Sequence, residues 1–181
     1  MIGAEADLAA RVAAAESDYR AALGWLQLAL KSDPDNPQLL DSAVISALAA
    51  GDFDSGAAFA EHMAKLGQRS QIGDLALIAA KVKAGDFAGL LAAQAEGRSV
   101  GALFDQLVAA WAEAGRGEMG DALAAFDKVA ETKGIEVFGT YHKALALAAV
   151  GDFEGADALF SGKSAPEIKL LRRGVMAHAQ V

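Results

Sequence analysis

Four times the chain writes glycine or serine, then an acid, then an aromatic: Ser17-Asp18-Tyr19, Gly51-Asp52-Phe53, Gly85-Asp86-Phe87 and Gly151-Asp152-Phe153. A looser copy, Gly117-Glu118-Met119, falls between the last two, and successive copies start 34, 34, 32 and 34 residues apart. A fixed period in this range is the signature of stacked helical hairpins, each too small to bury its apolar faces alone. The first two residues of the pattern supply two helix ends at once. Glycine takes the left-handed conformation that closes one helix at little steric cost. The acid then accepts from the free backbone N–H groups that open the next helix, where its charge also suits the helix dipole. The aromatic stands at the first helical position, placed to bury its ring between the two helices. Ser17 is the less favourable residue for that turn.

This punctuation divides the chain into hairpins near 3–36, 37–70, 71–99, 101–134 and 135–162, with a trailing helix over 164–181. The first helix of each hairpin falls near 4–16, 38–50, 71–84, 101–114 and 136–150; the second falls near 18–32, 52–67, 86–96, 118–132 and 152–161. The trailing helix starts at Ser164-Ala165-Pro166-Glu167, a capping-box pattern, and is expected to reach Val181. Forty-four alanines against 7% aromatic residues suit closely packed helices. The three prolines, at 34, 37 and 166, leave long stretches free for helix. The expected class is all-α: a right-handed superhelical solenoid of five hairpins plus the trailing helix, in a single domain over 1–181.

The net charge of −8 lacks the basic footprint that nucleic acid requires. Lys163, Lys169, Arg172 and Arg173 read as a solvated helix face. Without cysteine there is no disulfide framework and no thiolate metal site. No apolar run reaches the roughly 18 residues of a membrane span. The first residues lack the regions of a secretory signal. The expectation is a soluble chain, in the cytoplasm or, if a signal was removed, the periplasm.

Ser17-Asp18-Tyr19-Arg20-Ala21-Ala22-Leu23, followed by Ala29-Leu30 and Asp33-Pro34-Asp35-Asn36, resembles a tetratricopeptide repeat. Ala22 and Ala29 match that family's small positions, and Pro34 its terminating proline. The resemblance covers about residues 3–162. Later repeats lack the terminal proline, and Leu90 replaces the small residue in the third. The fourth fits with Phe104, Leu107, Val108 and Trp111 as the core of its first helix, which implies two extra residues in the turn.

The resemblance also implies a concave wall lined by the first helix of each hairpin. On it would stand Gln38, Asp41, Ile45, Leu48 and Ala49 in the second repeat, and Ile72, Leu75, Ala79, Val82 and Lys83 in the third. The fifth would add Phe138, Tyr141, Leu145, Ala148 and Ala149. Relatives that clamp a C-terminal carboxylate use Lys, Arg and Asn there. This wall is mostly aliphatic and aromatic, which does not support such a clamp. An exposed apolar stripe is normally covered by something, such as a partner's amphipathic helix, a later segment of the same protein or a second copy. With the register displaced by one or two residues, the same side chains are core instead.

Other motifs point to structure rather than chemistry. Gly115-Arg116-Gly117-Glu118-Met119-Gly120 fits the dinucleotide fingerprint letter for letter, but Leu103–Ala114 before it has a helical period where the fingerprint needs a strand. Asp33-Pro34-Asp35-Asn36 lacks the central glycine and terminal acid of a calcium loop. His62, His142 and His178 lie in different segments without metal-ligand spacing, and His142 reads as a partly exposed helix face. Trp25 and Trp111 read as packing between hairpins. No acids, bases and nucleophiles converge at a readable spacing. The functional expectation is a non-catalytic protein-binding scaffold that needs no cofactor or metal. Its partner is a protein or peptide, and the alternative is homo-oligomeric self-assembly through the groove or the open C-terminal end.

Overall fold

A computed structural model of the chain describes residues 2–162, 168 and 172–180. Among them the regular elements are helical and no strand occurs. The helices are α1 (Ile2–Ala15), α2 (Tyr19–Leu30), α3 (Pro37–Ala49), α4 (Phe53–Lys65), α5 (Gln71–Ala84), α6 (Phe87–Ala95), α7 (Ala102–Gly115), α8 (Met119–Ala130), α9 (Glu136–Ala149), α10 (Phe153–Phe160) and α11 (Arg172–His178).

All five copies of the punctuation form the same backbone turn. Ser17, Gly51, Gly85, Gly117 and Gly151 have φ of 61°, 77°, 70°, 86° and 85°. At the second copy the Gly51 N–H donates to Leu48 O at 3.1 Å and the Asp52 N–H to Ala47 O at 2.8 Å. This pair of bonds satisfies the last carbonyls of α3. The same two bonds recur at Ser17/Asp18, Gly85/Asp86, Gly117/Glu118 and Gly151/Asp152. The acid of each copy therefore closes the preceding helix with its backbone. Its side chain opens the next helix where the acid is aspartate of suitable reach: Asp18, Asp52 and Asp152 accept from the N–H of Ala21, Ser55 and Gly155 at 3.0, 3.1 and 2.9 Å. Bonds from the Ser55 hydroxyl and backbone N–H hold the Asp52 carboxyl below its ordinary value. Asp86 accepts from Lys81 Nζ at 2.8 Å. Glu118, one methylene longer, makes no side-chain cap.

The aromatic position is less uniform than the sequence pattern suggests. Tyr19, Phe53, Phe87 and Met119 are half-buried, whereas Phe153 is 54% exposed and does not bury its ring between helices. The trailing helix also differs from expectation, since α11 closes at His178 before Val181. The expected capping box at Ser164–Glu167, and Lys163 and Lys169 of the basic face, lie outside the described residues.

The chain forms two compact units, Met1–Asp86 with Gly97–Val100, and Phe87–Glu96 with Gly101–Val181. The two helices of the third expected hairpin, α5 and α6, thus belong to different units. In the first unit each helix from α1 to α5 packs on the next, and α3 also meets α5. Its core gathers Leu23, Leu26, Leu30, Leu40, Val44, Met63 and Leu77 with small Ala10, Ala43, Ala47, Ala60 and Ala76. Alanine at these contacts lets helix backbones approach and fill space without long side chains.

The segment 97–100 is held to the first unit by polar bonds. Asp74, 7% exposed in the first turn of α5, accepts from Arg69 at 2.9 Å, Arg98 at 3.1 Å and the Ser99 N–H at 3.4 Å. Arg69 also donates to Gly97 O at 3.0 Å, and Gln71 Nε2 donates to Val100 O. A buried carboxylate is tolerated here because three donors satisfy it.

In the second unit the helices from α6 to α11 pack sequentially, and α7 also meets α9. One core cluster surrounds Ala110, Ala122, Phe126 and Ala146, and another surrounds Ala144, Ala156, Phe160 and Ile168. At the α8–α9 crossing Gly139 has no room for a β-carbon, which would overlap the Ala130 backbone. This is a backbone approach that only glycine permits.

Two sets of substitutions test these devices. Ser17→Gly relieves a left-handed serine and is expected to raise stability by about 0.5–1 kcal/mol, while Gly51→Ala places a β-carbon in that conformation and lowers it by about 1–2 kcal/mol. Urea unfolding of the variants measures both. Asp74→Ala strips the clasp of its acceptor and is expected to cost about 1–3 kcal/mol, with faster amide exchange over 97–100.

Candidate functional site

Helices α3 and α5 carry ten of the groove residues expected from the sequence. Their phase is set at their N-termini. Asn36 Oδ1 accepts from the N–H of Gln38 and Leu39 at 3.0 and 3.1 Å, and Pro37 fills the first position of α3, where no N–H is needed. Ser70 Oγ accepts from the Gly73 N–H at 3.0 Å and opens α5.

From those starts, Gln38, Asp41, Ile45 and Leu48 run along one face of α3 at helical spacing. Gln38 is exposed, Ile45 is 45% exposed, and Asp41 is half-buried. Leu48 packs against the core. On α5, Ile72 joins the same core, Leu75 and Ala79 are half-buried, and Val82 is 48% exposed. The face is graded, with a core-side edge at Leu48 and Ile72 and an open edge at Ile45 and Val82.

Two polar groups border it. Asp41 Oδ1 is buried and has no hydrogen-bond partner among the described residues. Lys83 Nζ, at the end of α5, donates to Asp54 of α4 at 2.8 Å. The strip offers water-exposed aliphatic area at Ile45 and Val82.

The second unit holds the remaining five residues, all on α9. Phe138 is 38% exposed, whereas Tyr141 and Leu145 pack against the cluster of Ala144, Ala156, Phe160 and Ile168.

That unit also contains a ring stack that periodicity alone does not reveal. His142, expected on a partly exposed helix face, is half-buried. Its Nδ1 accepts from Trp111 Nε1 at 3.0 Å, and its ring stacks on Phe126 at a 6.3 Å centroid distance. Trp111 meets Phe126 edge-on at 5.4 Å. Tyr141 meets both His142 and Phe160 edge-on, and Phe160 stacks with His178, whose Nε2 lies 2.6 Å from Asp157. The hydrogen bond from the indole identifies Nδ1 as the unprotonated nitrogen. Burial pushes the His142 pKa down.

The remaining motifs resolve into local structure. Gly115 ends α7 against the Phe87 ring, Gly117 makes the left-handed turn, and Gly120 lies in the first turn of α8. This helix–turn–helix lacks the strand that a pyrophosphate cradle requires. In the 33–36 connector, Asp33 accepts from Asn36 Nδ2 at 2.8 Å, and Asp35 lies 2.8 Å from His62 Nε2. Among the described residues no three His, Asp or Glu side chains form a metal-holding group. No helix among them is long and apolar enough to cross a membrane.

Trp111 packs as expected from its helical spacing, but Trp25 does not. It is 44% exposed and lines an open groove with Leu8 and Val12. The alternating exposure of Trp25 and burial of Leu26 was legible only once the covering helices were known.

The low His142 pKa has a pH consequence. An unfolded histidine titrates near 6.5. Between that value and the lower folded one, the unfolded chain binds more protons, so stability falls as pH drops below about 6.5 and levels off below the folded pKa. Urea midpoints from pH 8 to 5, followed by tryptophan fluorescence, are expected to decline more steeply in the wild type than in His142→Gln, which keeps an acceptor for Trp111.

The chain matches no protein-family model, and no curated protein was found to match it.

Proposed function

We propose that this chain is a non-catalytic scaffold of the tetratricopeptide-like kind, its hairpins stacked as a solenoid, that holds a protein segment against the first helices of its hairpins. The single observation that carries this reading is the pairing of exposed Ile45 and Val82 on α3 and α5, two helices that pack on each other. Leu48 and Ile72, on the same two helices, pack against the core. A short amphipathic helix presents apolar residues at i, i+3, i+4 and i+7, the spacing that such a strip complements. Backbone-level support comes from the turns, which start 34, 34, 32 and 34 residues apart and repeat one geometry five times.

The double variant Ile45→Lys/Val82→Lys tests the proposal. Both side chains are already half in water, so unfolding stability is expected to stay within about 0.5 kcal/mol of wild type. Capture of the bound protein from native lysate is expected to fall about tenfold. Loss of folding would make these residues core, and undiminished capture would remove the strip from the binding surface. A concentration-dependent dimer in light scattering that the double variant abolishes would assign the strip to self-assembly instead.

A further inference from the structure

A second surface of the first unit lies outside the α3–α5 strip. Between α1 and α2 opens a groove of about 510 Å³ whose floor and walls include Leu8, Val12 and Trp25. These three are 64%, 53% and 44% exposed. Moving one 34-residue period along the chain shows what normally covers such positions. Phe59, the counterpart of Trp25, packs against the core of the first unit, and Ser46, the counterpart of Val12, is 3% exposed, while Ser42, the counterpart of Leu8, is exposed. Their hairpin, α3–α4, has α2 packed on its preceding flank. Among the described residues nothing covers the corresponding side of the α1–α2 hairpin, where Leu8, Val12 and Trp25 meet water. Its shape is that of a bed for one more helix.

The charge around the groove selects the chemistry of that helix. The ionisable side chains lining it are Glu5, Glu16 and Asp18, all acids. Glu16 follows directly after α1, at the end where the helix dipole is negative, and α1 has no basic residue in its last turn. An acid there is electrostatically uncompensated by its own helix. The same signs disfavour an anionic lipid surface or a nucleic-acid backbone as occupant.

We infer that the α1–α2 groove docks an amphipathic helix of a partner protein whose apolar seam covers Leu8, Val12 and Trp25 and whose lysine or arginine flank faces Glu5 and Glu16. The apolar contacts supply the affinity, and the carboxylates set the orientation and reject acidic helices.

Two synthetic helices test this with the full chain. Both carry leucines at i, i+3, i+4 and i+7; one has lysine flanks and the other glutamate flanks. Calorimetry is expected to show one-to-one binding of the lysine peptide, at least about tenfold tighter than the glutamate peptide and weakened by salt. Leu8→Asp, at an exposed position, is expected to weaken the lysine peptide about tenfold. In Glu5→Lys/Glu16→Lys, also at exposed positions and thus safe for folding, the preference between the two peptides is expected to invert. Absence of lysine-peptide binding, equal binding of the two peptides, or a preference untouched by the charge reversal overturns the inference. Dimerisation in light scattering that Leu8→Asp abolishes gives the groove to a second copy and overturns it as well.

Discussion

The left-handed residue followed by an acid is the constraint on which the turn between paired helices depends. At Gly51-Asp52 the glycine reverses the chain, the aspartate N–H satisfies Ala47 O, and the aspartate carboxylate satisfies the Ser55 N–H. Two helices are thereby ended and begun within two residues, with no slack in which one could rotate relative to the other. The phase of each helix follows, and with it the choice of which side chains face inward. Because the turn is made mainly from backbone bonds, it survives replacement of the glycine by Ser17 and of the aspartate by Glu118, at the cost of strain in one and a missing cap in the other.

Close packing then does the rest, differently in the two units. The first relies on aliphatic side chains over alanine, and adds the Asp74 clasp to tie residues 97–100 to the start of α5. The second relies on rings. Trp111, Phe126 and His142 belong to one cluster, Tyr141 and Phe160 to the next, and the edge-on contact between Tyr141 and His142 connects them. Adjacent residues on a helix point roughly 100° apart, yet the Tyr141 and His142 rings touch while each also meets the rings of a different cluster.

Much of the local structure was legible beforehand. The five turns, the helix ends beside them and the helical nature of the segment before Gly115 follow from residue chemistry acting over three to six positions. The candidate groove was legible as a face but not as a surface. Ile45 and Leu48 lie on the same side of α3, yet one meets water and the other meets the core. A helical period gives the direction of a side chain and says nothing of how far the neighbouring helix extends over it. Trp25 and Phe59 make the same point, since positions one 34-residue period apart differ in burial: one is 44% exposed and the other packs against the core. His142 could have been suspected from its 31-residue separation from Trp111, close to one repeat, but a hydrogen bond between the two requires a known inter-helix distance.

The sequence by itself determined where helices start and stop, because capping and left-handed turns are satisfied by atoms a few residues apart. It also determined the all-helical class, through alanine content and the repeat of those turns. Only the tertiary structure decided how the chain divides into two units, which apolar side chains remain in water, and which polar ones are buried with partners. Those outcomes depend on contacts between residues far apart in the chain, such as Asp74 with Arg98, 24 positions on, and Trp111 with His142, 31 positions on, whose geometry is set by how whole helices cross.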